Sequence, residues 1–226
     1  MVEITVRGEA VERASAERAS VTVQSRWSAA SAQAAMLQVA EAHDRLVADA
    51  KEHQAAGAAE AWHADRVWIS HSQEWVGEGE PRRSVYTASA SVTVRFNDFG
   101  ELGAWIGRVG MDDRHEVGGI QWSLSDETER ARARAARTGA IADAVERAAD
   151  YAAAAGLGIP VVGGIREPDT TFPGPLASGA RMESMAYAGA ADAGITFEAG
   201  EIEVHAEVEV RFVAEPLPHG QGSSAQ

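Results

Sequence analysis

Ala19-Ser20-Val21-Thr22-Val23 returns unchanged as Ala90-Ser91-Val92-Thr93-Val94, and returns a third time as Ala206-Glu207-Val208-Glu209-Val210. The second and third copies also continue alike, with Arg-Phe at residues 95–96 and 211–212. Apolar and polar residues alternate with period two, which is typical of a strand that buries one face of its sheet. Strands of a fully covered parallel sheet are apolar on both faces. The repeat therefore predicts an antiparallel or mixed sheet built on a reused strand.

The composition is that of a folded protein with an acidic surface. The chain has 226 residues, of which 45% are hydrophobic and 24% are charged, and its formal net charge is -14. Such a field repels nucleic acid and anionic membranes, so we expect neither as a partner. Cysteine is absent, which excludes disulfides, thiolate nucleophiles and cysteine-bound metal centres.

The first residues bear on location. Met1 to Val6 already alternate as a strand and contain no basic segment followed by an apolar one. No run of about 20 apolar residues occurs in the chain. We therefore expect a soluble cytoplasmic protein.

Three helices are predicted between the strands. The first, from Ala29 to about Ala56, has apolar residues at three-and-four spacing: Met36, Val39, Ala40, His43, Leu46, Val47 and Ala50. The second runs from Phe99 to Val109. The third begins near Asp126, whose carboxylate can cap free amide groups. Its inner face is nearly all small: Ala133, Ala136, Ala140, Ala144, Ala148 and Ala152, with Ile141 and Val145 beside them.

The order of elements predicts an α+β fold with two strand-helix-strand units. Shorter strands are expected around Ile4–Gly8, Trp62–Trp75, Val117–Leu124 and Ile159–Ile165. We expect one domain over residues 1–214, with a mobile loop at 166–194 where the periodicity fails. Residues 215–226 are expected to be a disordered tail.

One face of the last strand is the sharpest local feature: Glu201, Glu203, His205, Glu207 and Glu209. It is either a stripe that attracts cations, and that could line a channel in a ring assembly, or a solvated strand face. Side chains two apart lie about 6.5 to 7 Å from each other, which is too far for neighbours to chelate one ion. Arg7, Arg26 or Arg95 on adjacent strands could neutralise the stripe.

Two tryptophans form a second candidate site. Trp62 and Trp68 fall in register with polar residues of their strand, which is common at subunit interfaces. The chain's own helices could equally cover them.

Signatures of catalysis and of cofactor binding are missing from the sequence. It contains no Gly-x-Ser-x-Gly, no phosphate-binding glycine loop and no paired histidines at metal-ligand spacing. His43, on the apolar stripe of the first helix, is expected to be a packed histidine. We therefore expect no enzyme activity, no cofactor and no metal site.

An ordered set of segments resembles the SIMPL-domain family over nearly the whole chain, from Ile4 to Phe212. The segments are Val85 to Val94, Leu102-Gly103, Val117 to Asp126, the alanine-rich helix, Ala155 to Gly158, and Gly200 to Val204. The resemblance implies an α+β fold, a tendency to form ring-like homo-oligomers, and no established catalytic residues. Bacterial members include exported, stress-associated proteins. This chain has Ala16-Glu17 where the family usually has Pro-Asp.

Two hypotheses about function follow from the residues and the resemblance together. The first is a non-enzymatic homo-oligomer that acts as a scaffold or as a stress-associated interaction protein, with its protein partner unknown. The second is a protein that binds a small molecule or a divalent cation through the acidic face of the last strand or through the 166–194 loop.

Overall fold

The computed structural model describes residues 1–75, 77–78, 81–168 and 197–217. In chain order, its elements are β1 (Val2–Ser15), β2 (Arg18–Ala29), α1 (Ala32–Ala55), β3 (Ala59–Ala64), β4 (Trp68–Glu74), β5 (Arg83–Phe96), α2 (Phe99–Val109), β6 (His115–Ser123), α3 (Asp126–Ala154), β7 (Val161–Arg166) and β8 (Glu201–Ala214). Both sheets are antiparallel. The predicted α+β class is confirmed. The elements fall into two compact units.

One unit contains β2 to β6 with α1 and α2. Its strands lie in the order β3-β5-β2-β6, so β2-α1-β3 and β5-α2-β6 interleave within one sheet. This is the ferredoxin-like arrangement of two split strand-helix-strand units. The strand β4 extends the sheet by pairing with the part of β5 that β3 does not reach.

The two identical copies of the repeat are direct neighbours in this sheet. Val21 lies opposite Val94 and Val23 opposite Val92, while Thr22 lies opposite Thr93 on the other face. The four valines are fully buried. The two threonine hydroxyls are 2.8 Å apart. The repeat therefore supplies the centre of the core with one face and a polar cross-strand pair with the other.

Both helices cover the apolar face of this sheet. Leu46 and Ala50 of α1 pack in the same cluster as Leu102, Trp105 and Val109 of α2. Burying each large side chain stabilises the fold by about 1.5–3 kcal/mol. The predicted bounds of α2 are confirmed at both ends, and Asp98 caps its first amides at 2.9 and 3.1 Å.

The other unit contains β1, β7 and β8 with α3. Its strands lie in the order β1-β8-β7, and the third copy of the repeat sits in β8, the central strand. The helix α3 packs through Ala140, Ala144 and Ala148 on Val6, Val208, Val210 and Phe212.

Gly8 is the point of closest approach between α3 and its sheet. A Cβ atom at this position would lie 2.0 Å from the backbone oxygen of Ala140 and 2.8 Å from the Cβ of Ala144. Only glycine leaves room here, because the obstacle includes helix backbone that no rotamer change can move. The small inner face predicted for α3 is confirmed at Ala136, Ala140, Ala144, Ala148 and Ala152.

Several predicted details are wrong. In α1 the predicted burial of Val39, Leu46 and Ala50 is confirmed, but Met36 is exposed. The helix also buries three residues outside the predicted stripe: Ala35, Ala42 and His53. Ser125, one residue before Asp126, caps α3 by accepting from Thr128 N at 3.2 Å. The strand predicted at Ile4–Gly8 extends over all of Val2–Ser15, because its whole length pairs with β8.

Two further boundaries differ from the sequence prediction. The segment Trp62–Trp75 is not one strand, since β3 and β4 are separated at residues 65–67. The predicted tail begins too early, since Leu157 pairs with Pro216 and Gly158 N donates to Glu215 O at 2.7 Å. Residues 169–194 of the predicted mobile loop and residues 218–226 of the tail lie outside the described part of the chain.

Replacing Gly8 with alanine should destabilise the protein by about 3 kcal/mol, the upper end of the range for overpacking. The added methyl group would overlap the backbone of α3 and force the helix off the sheet. Urea denaturation followed by circular dichroism measures the change. Gly164→Ala is the matched control in the same unit, because its Cβ would meet only ordinary contacts at 3.7 Å. Equal midpoints for the two variants would contradict this packing.

Candidate functional sites

Arginines bind the acidic face of β8 along most of its length. Arg13 of β1 donates from Nε and Nη2 to Glu203 Oε1 at 2.9 and 2.7 Å. Arg7 Nε lies 2.7 Å from Glu207 Oε1, and Arg166 of β7 donates to Glu209 at 2.8 Å. The Nε2 atom of His205 lies 3.3 Å from Glu203 Oε2. The stripe is therefore a ladder of exposed ion pairs across three strands.

The neighbours predicted for this stripe are only partly right. Arg7 does pair with it, but Arg26 and Arg95 lie on β2 and β5, which belong to the other sheet. The hydrogen bond and charge of Arg13 hold the pKa of Glu203 below its usual range. Among the described residues, no group of three or more histidine, aspartate or glutamate side chains is placed to hold a metal ion.

The structure separates the two tryptophans predicted to share a face. Trp62 lies opposite the buried Val94, so it points to the helix-covered side. Its Nε1 donates to Gln54 Oε1 at 3.0 Å, and Lys51 Nζ lies 5.8 Å from its ring centre. The prediction that the two tryptophans share a polar face is wrong. The alternation of faces does not continue from β3 to β4, because the strand is interrupted at residues 65–67.

Trp68 is on the opposite face and is 71% exposed. It begins β4, in which all seven residues are exposed. Val67, Ile69 and Trp75 add exposed apolar surface at the same edge, and Trp75 is 72% exposed. A sheet edge with this much apolar surface is typical of an interaction site.

A serine, a histidine and an aspartate meet between β2 and β6. Ser25 Oγ lies 3.1 Å from Nδ1 of His115, and Nε2 of His115 lies 3.9 Å from Asp112 Oδ2. Ser25 is fully buried, so no substrate can reach its hydroxyl. The aspartate is beyond hydrogen-bond distance of the imidazole and is instead bound bidentately by Arg114 at 2.9 and 2.6 Å. This cluster is a buried polar network, without the access that a nucleophile needs.

Burial lowers the pKa of His115 below its usual value, partly opposed by Asp112. Arg114 holds the pKa of Asp112 far below its usual range. At neutral pH the imidazole is therefore uncharged and can accept the Ser25 hydroxyl hydrogen at Nδ1. Sequence reasoning missed this network because it forms only when β2 and β6 pair.

An open cleft of about 650 Å³ lies where the end of α1 meets the start of α2. Its charged lining comprises Asp49, Glu52, Asp98, Glu101 and Arg108, with the nearly buried His53 among them. Most of these groups hold the helices together: Trp105 donates to Asp49 at 3.3 Å, Asp98 caps α2, and Arg108 donates to Nε2 of His53 at 3.3 Å. The sequence analysis did not single out this cleft. The sequence does contain one indication of it: His53 lies one turn beyond Ala50 and therefore continues the buried stripe of α1.

The chain combines a ferredoxin-like unit with a helix-covered three-stranded sheet, which defines it as an α+β protein of two units. A comparison with protein families then assigns its family. The SIMPL family model, described as a protein of unknown function (DUF541), matches residues 4–212. The chain belongs to the SIMPL family. No curated protein matches it. In the described part of the chain, no helix has both the length and the apolar character needed to cross a membrane.

Replacing Arg13 with glutamine should raise the pKa of Glu203 towards 4.5, its ordinary value, because the largest lowering influence is removed. Carbon-detected NMR titration of the side-chain carboxylate measures the change. The carboxylate stabilises the fold above its unfolded pKa, and that contribution fades as pH falls through its lowered folded pKa. Arg7→Gln is the control and should leave the Glu203 titration unchanged. If the pKa of Glu203 is the same in the wild type and in both variants, the ladder of ion pairs does not persist in solution.

Replacing His115 with glutamine should flatten the pH dependence of stability between pH 7.5 and 5.5. The folded pKa of His115 lies below the unfolded value of about 6.5, so the unfolded chain binds the extra proton and stability falls as pH drops through this window. Urea denaturation at both pH values gives the slope. His63→Gln is the control at an exposed histidine. If the unfolding free energies of wild type and His115→Gln change equally between the two pH values, the buried imidazole is not the source of the pH dependence.

Proposed function

We propose that this SIMPL-family chain is a non-enzymatic protein of the bacterial cytoplasm that self-assembles and serves as a scaffold or a stress-associated interaction protein. The observation that carries the proposal is the exposed edge strand β4, with Trp68 and Trp75 each more than two thirds exposed. Solvent-exposed tryptophans on an open strand are costly unless a partner covers them.

A second apolar edge supports the same proposal. Val161, Val162 and Ile165 of β7 are exposed, as is Ile159 just before the strand. In the described residues β7 pairs with β8 on one side only, so its other side is available to a partner. This edge favours association through its exposed apolar side chains, and the register shift in β7 makes it a less regular template for strand pairing than β4.

The absence of catalysis is part of the proposal and draws support from the buried network. Ser25 meets a histidine and an aspartate, the residue types of a hydrolase triad, but it is inaccessible and bonded to Nδ1. The alternative of cation binding at β8 draws less support. Arginines already bind Glu203, Glu207 and Glu209, so an incoming cation would have to displace them.

Size-exclusion chromatography with light scattering tests assembly at micromolar protein concentration. The wild type should show a multiple of 23.8 kDa. Trp68→Ser should lower the mass or raise the concentration needed for assembly, since the exposed ring is lost. Met111→Ser is the control, because Met111 is an apolar residue away from β4 that is even more exposed than Trp68. A wild type that stays at 23.8 kDa at every concentration would contradict the proposed function.

A further inference from the structure

The strand β4 forms a regular ladder on one side and presents an open edge on the other. Seven consecutive residues pair with β5, from Trp68 opposite Ser89 to Glu74 opposite Arg83, without a shift in register. No other strand pairs with β4 in the described part of the chain. Alternate backbone amide and carbonyl groups of β4 therefore point outward, and no described strand pairs with them.

The other outer strands carry features that discourage pairing. The ladders of β3, β6 and β7 each contain a register shift or bulge. The long strand β1 is regular but contains five charged residues: Glu3, Arg7, Glu9, Glu12 and Arg13. In contrast, β4 has no bulge, no lysine, no proline and one charge, Glu74. Bulges, lysines, prolines and several charges are features that protect a sheet edge from pairing, and β4 has only the single charge of Glu74.

We propose that β4 pairs in antiparallel fashion with β4 of a second copy of this chain, about a two-fold axis that passes midway between the His71 residues of the two copies. This inference rests on the self-assembly proposed above and specifies the surface that carries it. The pairing joins two five-stranded sheets into one, with the helices of both copies on the same face. An isologous contact of this kind closes after two copies.

The length of β4 fixes the register. A two-fold pairing uses all seven residues only if it is centred on His71, and a shift of the centre to either neighbour leaves two residues unpaired. Centred on His71, Ser70 faces Ser72 of the second copy and Ile69 faces Gln73. Each pair shares one face of the sheet, as the alternation of the pleat requires.

Charge and apolar surface both match in this register. Glu74 would face Trp68 of the second copy, and Arg83 already binds Glu74 at 2.9 Å, so no like charges meet. Just outside the strand, Val67 would face Trp75 of the second copy, which pairs two exposed apolar side chains at each end.

The buried area is sufficient for a specific dimer. Two copies contribute four tryptophans, each about 70% exposed, and a tryptophan buries about 150–250 Å², so the rings alone bring roughly 600 Å². The side chains of Val67 and Ile69 and the two backbones bring the total to about 1,000 Å² or more. This is near the lower end for stable, specific interfaces.

The absence of cysteine allows a direct test by single substitution. In His71→Cys the two cysteines occupy directly opposed positions across the axis. Their Cα atoms would be about 4.5–5.5 Å apart, which is within the range that a disulfide spans. Mild oxidation should convert most of this variant to a covalent dimer on a non-reducing gel. Gln73→Cys is the matched control on the same strand face, because its own copy lies four residues further along the partner strand. It should remain monomeric on the gel.

The outcomes separate this inference from the proposed function. A covalent dimer of His71→Cys, with no dimer of Gln73→Cys, supports the two-fold pairing. If light scattering shows a wild-type assembly but His71→Cys does not cross-link, or cross-links no better than Gln73→Cys, then β4 pairing is overturned and self-assembly stands. A strictly monomeric wild type overturns both. Light scattering of reduced His71→Cys checks that loss of the His71–Tyr86 ring contact at 4.7 Å has not itself prevented assembly.

Discussion

Helices lie against one face of each sheet, and this one-sided packing determines which strand residues are buried and which face solvent. In one unit the covered face collects the alanines and valines of two repeat copies beneath α1 and α2. In the other, Gly8 and the alanines of α3 let the helix backbone reach β1 closely. The uncovered faces are largely polar: a serine and threonine face on β2 and β5, and an arginine-glutamate ladder on β8. Trp68 is an exception on the uncovered side of β4.

Much of this fold is encoded locally and could be read from the sequence. The bounds of α2, the small face of α3 and the buried half of each repeat depend on periodicity within one element, so they were predicted. The misplacement of Trp62 shows the limit: three residues between β3 and β4 reset the alternation, and nothing in the pattern marks that break. Strand neighbours are a second limit. Arg7, Arg26 and Arg95 were equal candidates to neutralise the stripe, yet the topology brings only Arg7 of these three to it and adds Arg13, which the sequence did not single out.

The candidate sites differ in what the fold leaves accessible. Ser25 and His115 have suggestive chemistry but are buried, and their hydrogen bond fixes β2 against the edge strand β6. The carboxylates of β8 are accessible, but their charge is largely neutralised by neighbouring arginines. At β4 the exposed residues include Trp68 and Ile69, and among the described residues only β5 pairs with its backbone. The repeat that sets the architecture thus belongs to the core, and the distinctive surface lies on a strand that carries no copy of it.

Hydrogen exchange of the β4 backbone amides as a function of protein concentration tests this account most directly. The amides of β4 that point away from β5 should exchange rapidly at low concentration and slowly at high concentration, because pairing with a second copy would supply their missing hydrogen bonds. The amides of β2, which lie between two strands, should be protected at both concentrations. Exchange of β4 that stays rapid while light scattering reports an assembled protein would contradict the claim that this edge joins the copies.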